Sequence, residues 1–144
     1  FSRLTVVTHS RDVLDILGNH RDFEIILCGG RFMRDENAFY GSATLDMLRS
    51  LHTQKAFVFP SSVSIMYGIG AFQGDLLQVE KQLIVSSEEV YVLADSSKFE
   101  KKALYKIADT RKDYRYITDD LLPEELRRLY KDNNLDVFIG GSRK

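Results

Sequence analysis

Four apolar, β-type runs in this chain each stop on a polar or glycine-bearing cluster, and stretches with helical spacing fall between them. The runs cover residues 4–8, 23–28, 56–59 and 89–94. Ser10 is placed to cap a helix over 11–17, with Val13, Leu14 and Leu17 on one face and Gly18 closing it. Residues 42–51 carry Leu45, Leu48 and Leu51 on one stripe, and residues 76–86 carry Leu76, Val79, Leu83 and Ile84 inward. Pro60 stops the third run, since proline cannot donate to a ladder. Strands alternating with helices require crossover connections, and these produce parallel pairing. The expected fold is α/β: a mostly parallel, Rossmann-like sheet with helices on both faces.

Beyond the fourth run, 103–108 reads as either strand or helix, and 115–118 as a short strand. Pro123 opens a helix to about residue 133 with Leu126 and Leu129 inward, and 135–139 is the last strand. There is no repeat and no linker-like tract, so residues 1–144 read as a single domain.

Composition excludes several classes of function. The 44% apolar and 28% charged fractions are those of an ordinary globular chain. No apolar stretch approaches the ~18 residues of a membrane span, and no leader opens the sequence. Cys28 is the one cysteine, so no internal disulfide or cysteine metal cluster is available, and a cytoplasmic location is expected. His9, His20 and His52 share no ligand spacing, and no metal or cofactor is expected. A net charge of −1 is the wrong balance for gripping nucleic acid by its phosphates.

The residues that end each run are more informative. The clusters are Thr8-His9-Ser10, Gly29-Gly30-Arg31, Pro60-Ser61-Ser62 and Asp95-Ser96-Ser97-Lys98. In a parallel sheet these turns share the carboxyl edge, where such folds bind ligands. Asp95 can accept from sugar hydroxyls, Ser96 and Ser97 can donate to phosphate oxygens, and Lys98 supplies a point positive charge. Gly29 and Gly30 allow close backbone approach, and Arg31 can fork onto an anion. The ligand-binding candidates are therefore Thr8, Ser10, Gly29, Gly30, Arg31, Ser61, Ser62, Asp95, Ser96, Ser97 and Lys98. The competing interpretation is helix capping by Thr8, Ser10 and Asp95, with solvated Arg31 and Lys98.

The segment Val90-Tyr91-Val92-Leu93-Ala94-Asp95-Ser96-Ser97-Lys98-Phe99 closely resembles the L-L-A-D-S-S-K-F signature of the effector-sensing domain of DeoR-type bacterial transcriptional regulators. The resemblance extends to residues 4–10, 25–30, 40–43 and 116–119, nearly the whole chain. It implies a ribose-5-phosphate isomerase-like fold, a phosphorylated sugar or related metabolite as effector, and a homo-oligomer. DNA would be read only through a helix-turn-helix domain that this sequence does not contain. Family members also place a further strand and a D-S-G-T-T-T-like phosphate loop before the first strand here, so the sheet reads as truncated at its N-terminus.

Two departures from the family pattern stand out. The third-strand loop of many relatives reads A-F-L-G-A-D-G, whereas Ser61 and Ser62 stand here for the Asp and Gly. The helix start E-x-x-V-K-R becomes Leu76-Leu77-Gln78-Val79-Glu80-Lys81, with Leu76 for the Glu and Glu80 for the Lys. An isomerase would need a positioned carboxylate base. The positions that supply the acid/base pair in the isomerase hold Ser61 and Leu27-Cys28, so a regulatory rather than a catalytic module is expected. The alternatives are a sugar-phosphate isomerase-like enzyme and an oligomerisation domain with a decayed pocket.

Overall fold

The computed structural model describes residues 3–140 and divides the chain into two compact units, Phe1–Leu51 and His52–Lys144. The first unit opens with β1 (Leu4–Thr8), α1 (Arg11–Leu17) and β2 (Phe23–Leu27). β1 and β2 pair in parallel, Val6 beside Ile25 and Thr8 beside Leu27. The Ser10 hydroxyl accepts the Val13 amide hydrogen at 3.4 Å, and Asp12 sits in the first turn where the helix dipole favours an acid. Gly18 closes α1 from a right-handed conformation, its N–H bonded to the Leu14 carbonyl. A short antiparallel hairpin of β3 (Arg31–Met33) and β4 (Ala38–Tyr40) follows, and then α2 (Ser42–Arg49). The sequence pattern did not reveal this hairpin, because three-residue strands are too short for alternation to register.

The second unit carries the longer sheet. Its strands are β5 (Thr53–Val58), β6 (Ser62–Ser64), β7 (Gly68–Ala71), β8 (Ser87–Leu93), β9 (Tyr105–Ala108), β10 (Arg115–Thr118) and β11 (Val137–Ile139). Helix α3 (Gly74–Val85) lies between β7 and β8, and α4 (Glu124–Asp132) between β10 and β11. Four strands form a parallel sheet in the order β11-β10-β8-β5. The ambiguous segment before residue 108 resolves as strand β9, which joins the β6–β7 hairpin in an antiparallel sheet. That hairpin turns through Gly68 at φ +78°, where an added Cβ would lie 2.2 Å from the Ala108 carbonyl oxygen. Only glycine meets both demands.

Side-chain alternation in β5 and β8 shows which face is core. Ala56, Val58, Val90 and Val92 are buried, whereas Lys55, Phe57, Glu89 and Tyr91 alternate onto the other face. On that face Phe57 stacks on Tyr91 at 5.1 Å, and the Lys55 and Arg115 cations lie over the Tyr91 ring at 5.1 and 5.2 Å. The core gathers Tyr116, Tyr130, Ile69, Leu122, Val58, Val63 and Val92. Helix α3 packs on β5 and β9 and buries Leu77, Val79 and Glu80. Helix α4 turns Tyr130 fully inward, while Leu129, expected inside, is 40% exposed. Among the described residues no helix is long and apolar enough to cross a membrane.

Candidate functional site

Strand β8 is central in the second unit, hydrogen-bonded to β10 on one side and β5 on the other. It delivers Asp95 to a single 3-10 turn over Ser96–Lys98, and the turn's own polar groups hold it in place. Asp95 accepts the Ser97 amide hydrogen at 3.0 Å and the Ser97 hydroxyl hydrogen as well. The Ser97 hydroxyl is the chief reason the Asp95 carboxyl titrates below its ordinary range, helped by the Lys98 charge. Asp119, at the end of β10, accepts the Ser96 amide hydrogen at 2.9 Å and the Leu121 amide hydrogen at 2.9 Å. The Ser96 amide chiefly holds the Asp119 carboxyl below its usual range. The first two amide donors of the turn are therefore satisfied within the protein.

Lys98 is different. Its ammonium lies 3.5 Å from the Asp95 carboxylate and its side chain is 37% exposed, so it is paired at the margin of contact and open to solvent. Within reach of its charge lies Glu80, which is 2% exposed on the inward face of α3. One carboxylate oxygen of Glu80 accepts the Phe59 amide hydrogen at 2.6 Å, just past the end of β5. The other is buried with no hydrogen-bond partner among the described residues. Burial raises the Glu80 carboxyl to about 7, opposed by the Phe59 hydrogen bond and by the positive charge of Lys98.

The remaining candidates of the second unit sit around the hairpin. The Ser61 N–H bonds to the Gly70 carbonyl at 2.8 Å. Ser62 is 2% exposed and pairs with Gly70, and the neighbouring Val63 bridges to Phe99 at the exit of the turn. Ser62 also lines a groove of about 190 Å³ with Tyr67, Lys102, Tyr105 and Lys106, the Lys102 ammonium standing 4.7 Å over the Tyr67 ring.

In the first unit, Thr8–Ser10 and Gly29–Gly30 lie at the carboxyl ends of paired parallel strands and so share one edge. Ser10 caps α1, and the Thr8 hydroxyl accepts the Ser10 amide hydrogen at 3.1 Å, bracing the cap from outside the helix. Gly29 and Gly30 differ. An added Cβ on Gly29 meets nothing within 4 Å, while one on Gly30 would lie 2.3 Å from the Thr44 hydroxyl and 2.6 Å from the Tyr40 carbonyl oxygen. Gly30 is thus required by packing within its own unit, and Gly29 leaves the backbone open to approach. Arg31 begins β3 with an exposed side chain. No group of three or more His, Cys, Asp or Glu is placed to hold a metal ion among the described residues.

Glu80 and Asp119 escaped the sequence reading of the site. A signal for Glu80 existed: an acid three residues after Leu77 falls on the buried stripe of α3. The signal at Asp119 was its place in the 116–119 segment of the resemblance, but its role stayed hidden because its partner is the backbone of a loop 23 residues away.

Residues 1–120 match the DeoR C terminal sensor domain family. Among curated relatives, the HTH-type transcriptional repressor GlcR of Bacillus subtilis is 28% identical over 135 residues, covering 94% of this chain and 52% of that protein. The L-fucose operon activator of Haemophilus influenzae is 29% identical over 94% of this chain and 54% of its own length. The glycerol-3-phosphate regulon repressor of Escherichia coli is 24% identical over 96% of this chain and 55% of its own. The chain thus spans about half the length of these relatives. An α/β fold with a four-stranded parallel sheet, the Asp95–Lys98 turn at its carboxyl edge and a family match across most of the sequence agree: the chain belongs to the DeoR C-terminal sensor domain family, of ribose-5-phosphate isomerase-like fold, a family of transcriptional regulators and not of enzymes.

Proposed function

We propose that this chain is the effector-sensing part of a bacterial sugar-operon repressor, that residues 1–144 act as one effector-binding and oligomerisation domain, and that its effector is a phosphorylated sugar or related metabolite. The observation that carries this reading is Lys98: a half-exposed ammonium held 3.5 Å from Asp95 on a turn whose amide donors are already committed. An anion arriving there meets a charge, not a nest of free N–H groups, so Lys98 is its principal contact. Ser96, Ser97, Ser61 and Ser62 are the hydroxyl candidates for a polyol in the second unit, although Ser97 already donates to Asp95 and Ser62 is 2% exposed, and Thr8, Ser10, Gly29, Gly30 and Arg31 are the corresponding candidates of the first unit. Two relatives are named for glycerol-3-phosphate and L-fucose regulation, which fits a small polyol or its phosphate ester.

Effector binding would act by favouring one arrangement of a homo-oligomer over another through differential contacts, and the longer protein would read DNA through a separate helix-turn-helix domain. A cytoplasmic location belongs to the same proposal. The net charge of −1 supports assigning DNA contact elsewhere.

A second reading, a structural domain without ligand, draws on the internal satisfaction of the Asp95–Lys98 turn. Thermal-shift screening of sugar phosphates against the matching neutral sugars separates the two. A ligand at 100 times its dissociation constant stabilises by about 2.7 kcal/mol, which is readily measured. The effector reading expects shifts only with the phosphorylated compounds; equal shifts with and without phosphate, or none in the full-length regulator, overturn it.

A further inference from the structure

Glu80 is a buried acid for which the effector reading has no role. It sits in the core-facing stripe of α3 at 2% exposure, with one oxygen on the Phe59 amide and the other unpartnered among the described residues. A carboxylate so placed is costly when charged, and the nearest relief is a proton or a cation. The elements packed against α3 supply few candidates. Lys55 on β5 and Glu89 and Tyr91 on β8 are bonded to one another on the other face of the sheet. Lys106 on β9 is paired with Asp109, and Glu88 and Tyr105 are the other titratable groups on β8 and β9; β7 carries none. On α3 itself stand Asp75 and Lys81. Phe59, whose amide holds Glu80, directly follows Val58, the parallel partner of Val92 on β8, and the Asp95–Lys98 turn follows that strand, so Glu80 is held at the same carboxyl edge as Lys98, the cation assigned to the effector, and feels its charge.

One ammonium, already 3.5 Å from the Asp95 carboxylate, therefore meets two further anionic claims, from Glu80 and from the effector, and these compete. We propose that Glu80 is the proton-binding partner of the anion site: when an anion occupies Lys98, Glu80 takes up a proton from solvent, making effector affinity dependent on pH. The proposal rests on the effector-site reading of Lys98. Its sign is set by charge. An anion on Lys98 withdraws the field that favoured ionised Glu80 and adds a negative charge beside it, so the carboxyl titrates higher in the complex. Binding then favours the protonated form, and affinity falls as pH rises through neutrality. Glu80 already titrates near 7, so the coupling would act within the physiological range.

The side-chain carboxyl carbon of Glu80 can be followed by NMR across pH in the full chain, without and with saturating inorganic phosphate, alongside the Lys98 side-chain resonances. The expected result is a Glu80 midpoint near neutrality that rises by about one unit when phosphate shifts Lys98. Lys98→Gln should raise the midpoint without phosphate and abolish the response to it. Glu80→Gln should bind phosphate with a pH dependence reduced to that of phosphate itself. If phosphate moves Lys98 and leaves the Glu80 midpoint fixed, the coupling is overturned and the anion site stands. If phosphate leaves Lys98 unmoved, the anion site falls and takes the coupling with it. A Glu80 midpoint at the ordinary carboxylate value overturns the coupling in either case.

Discussion

The Tyr130 hydroxyl donates to Oε1 of Glu100 across 2.8 Å, and the same oxygen accepts the Ile65 amide hydrogen at 3.0 Å. Glu100 directly follows Phe99 and stands at φ +51°, a left-handed conformation that costs a non-glycine residue about 1–2 kcal/mol. The carboxylate thus ties the exit of the Asp95–Lys98 turn to the β6–β7 hairpin and to α4 at once. Tyr130→Phe keeps the buried ring and removes the donor. A loss of about 1–2 kcal/mol in chemical denaturation is expected, with the midpoint moving and the slope unchanged. A change within about 0.3 kcal/mol would show that the hydroxyl contributes nothing to this junction.

Glu80→Gln is expected to stabilise the protein at alkaline pH and to be nearly neutral in acid. The Glu80 carboxyl is raised from 4.5 to about 7, so the folded state binds more protons than the unfolded one between those values. Its contribution is fully present below about 4.5 and is lost as pH rises through about 7. The full difference is on the order of 3 kcal/mol by linkage, and the stability gap between variant and parent should open over that window. Denaturation midpoints at pH 5, 6, 7 and 8 check it; a gap independent of pH would place the Glu80 titration elsewhere.

Fold and site were unequally legible in the sequence. The β-type runs read at 23–28, 56–59, 89–94 and 115–118 correspond to strands ending at Leu27, Val58, Leu93 and Thr118, because apolar, β-branched residues in short runs leave few other options. The β3–β4 and β6–β7 hairpins were not, since each strand is only three or four residues long and glycines break β7. Leu129 was expected inside because leucine at helical spacing outranks tyrosine on hydrophobicity alone; Tyr130 took the place because its hydroxyl finds Glu100, a contact 30 residues away. For the site, chain order placed Asp95–Lys98 after a strand and allowed Asp95 as a cap, which it is, but only the fold shows that Asp119 takes the Ser96 amide.

Gly29 and Gly30 should separate stability from binding. Gly30→Ala drives a Cβ to 2.6 Å from the Tyr40 carbonyl oxygen and is expected to destabilise by about 1–3 kcal/mol, as overpacking does. Gly29→Ala meets no atom within 4 Å and should change stability by no more than about 0.5 kcal/mol. If ligand backbone contact occurs at Gly29, the same variant weakens effector binding in calorimetry while its denaturation curve is unchanged. Parental affinity in Gly29→Ala removes that residue from the site.

Lys98→Ala addresses the assignment of the anion directly. Hydrogen bonds to charged groups contribute about 1.5–3 kcal/mol, so affinity for a phosphorylated effector should fall roughly ten- to a hundredfold. Lys98→Arg keeps the charge without the compact ammonium and should rescue in part. Calorimetry with one effector confirmed by thermal shift distinguishes these outcomes; unchanged affinity in Lys98→Ala reduces the turn to a cap.

The strand that ends in Asp95 is flanked on both sides, by β5 and by β10, and the turn beyond it is bolted down by Asp119. Such a turn is stiff: it has few backbone conformations left to give up when something binds. Little ordering entropy then remains to be lost on capture, and little loop movement is available to broadcast the event. Whatever news leaves this corner of the molecule must travel as a rearrangement of charge, or as motion of the sheet as one piece.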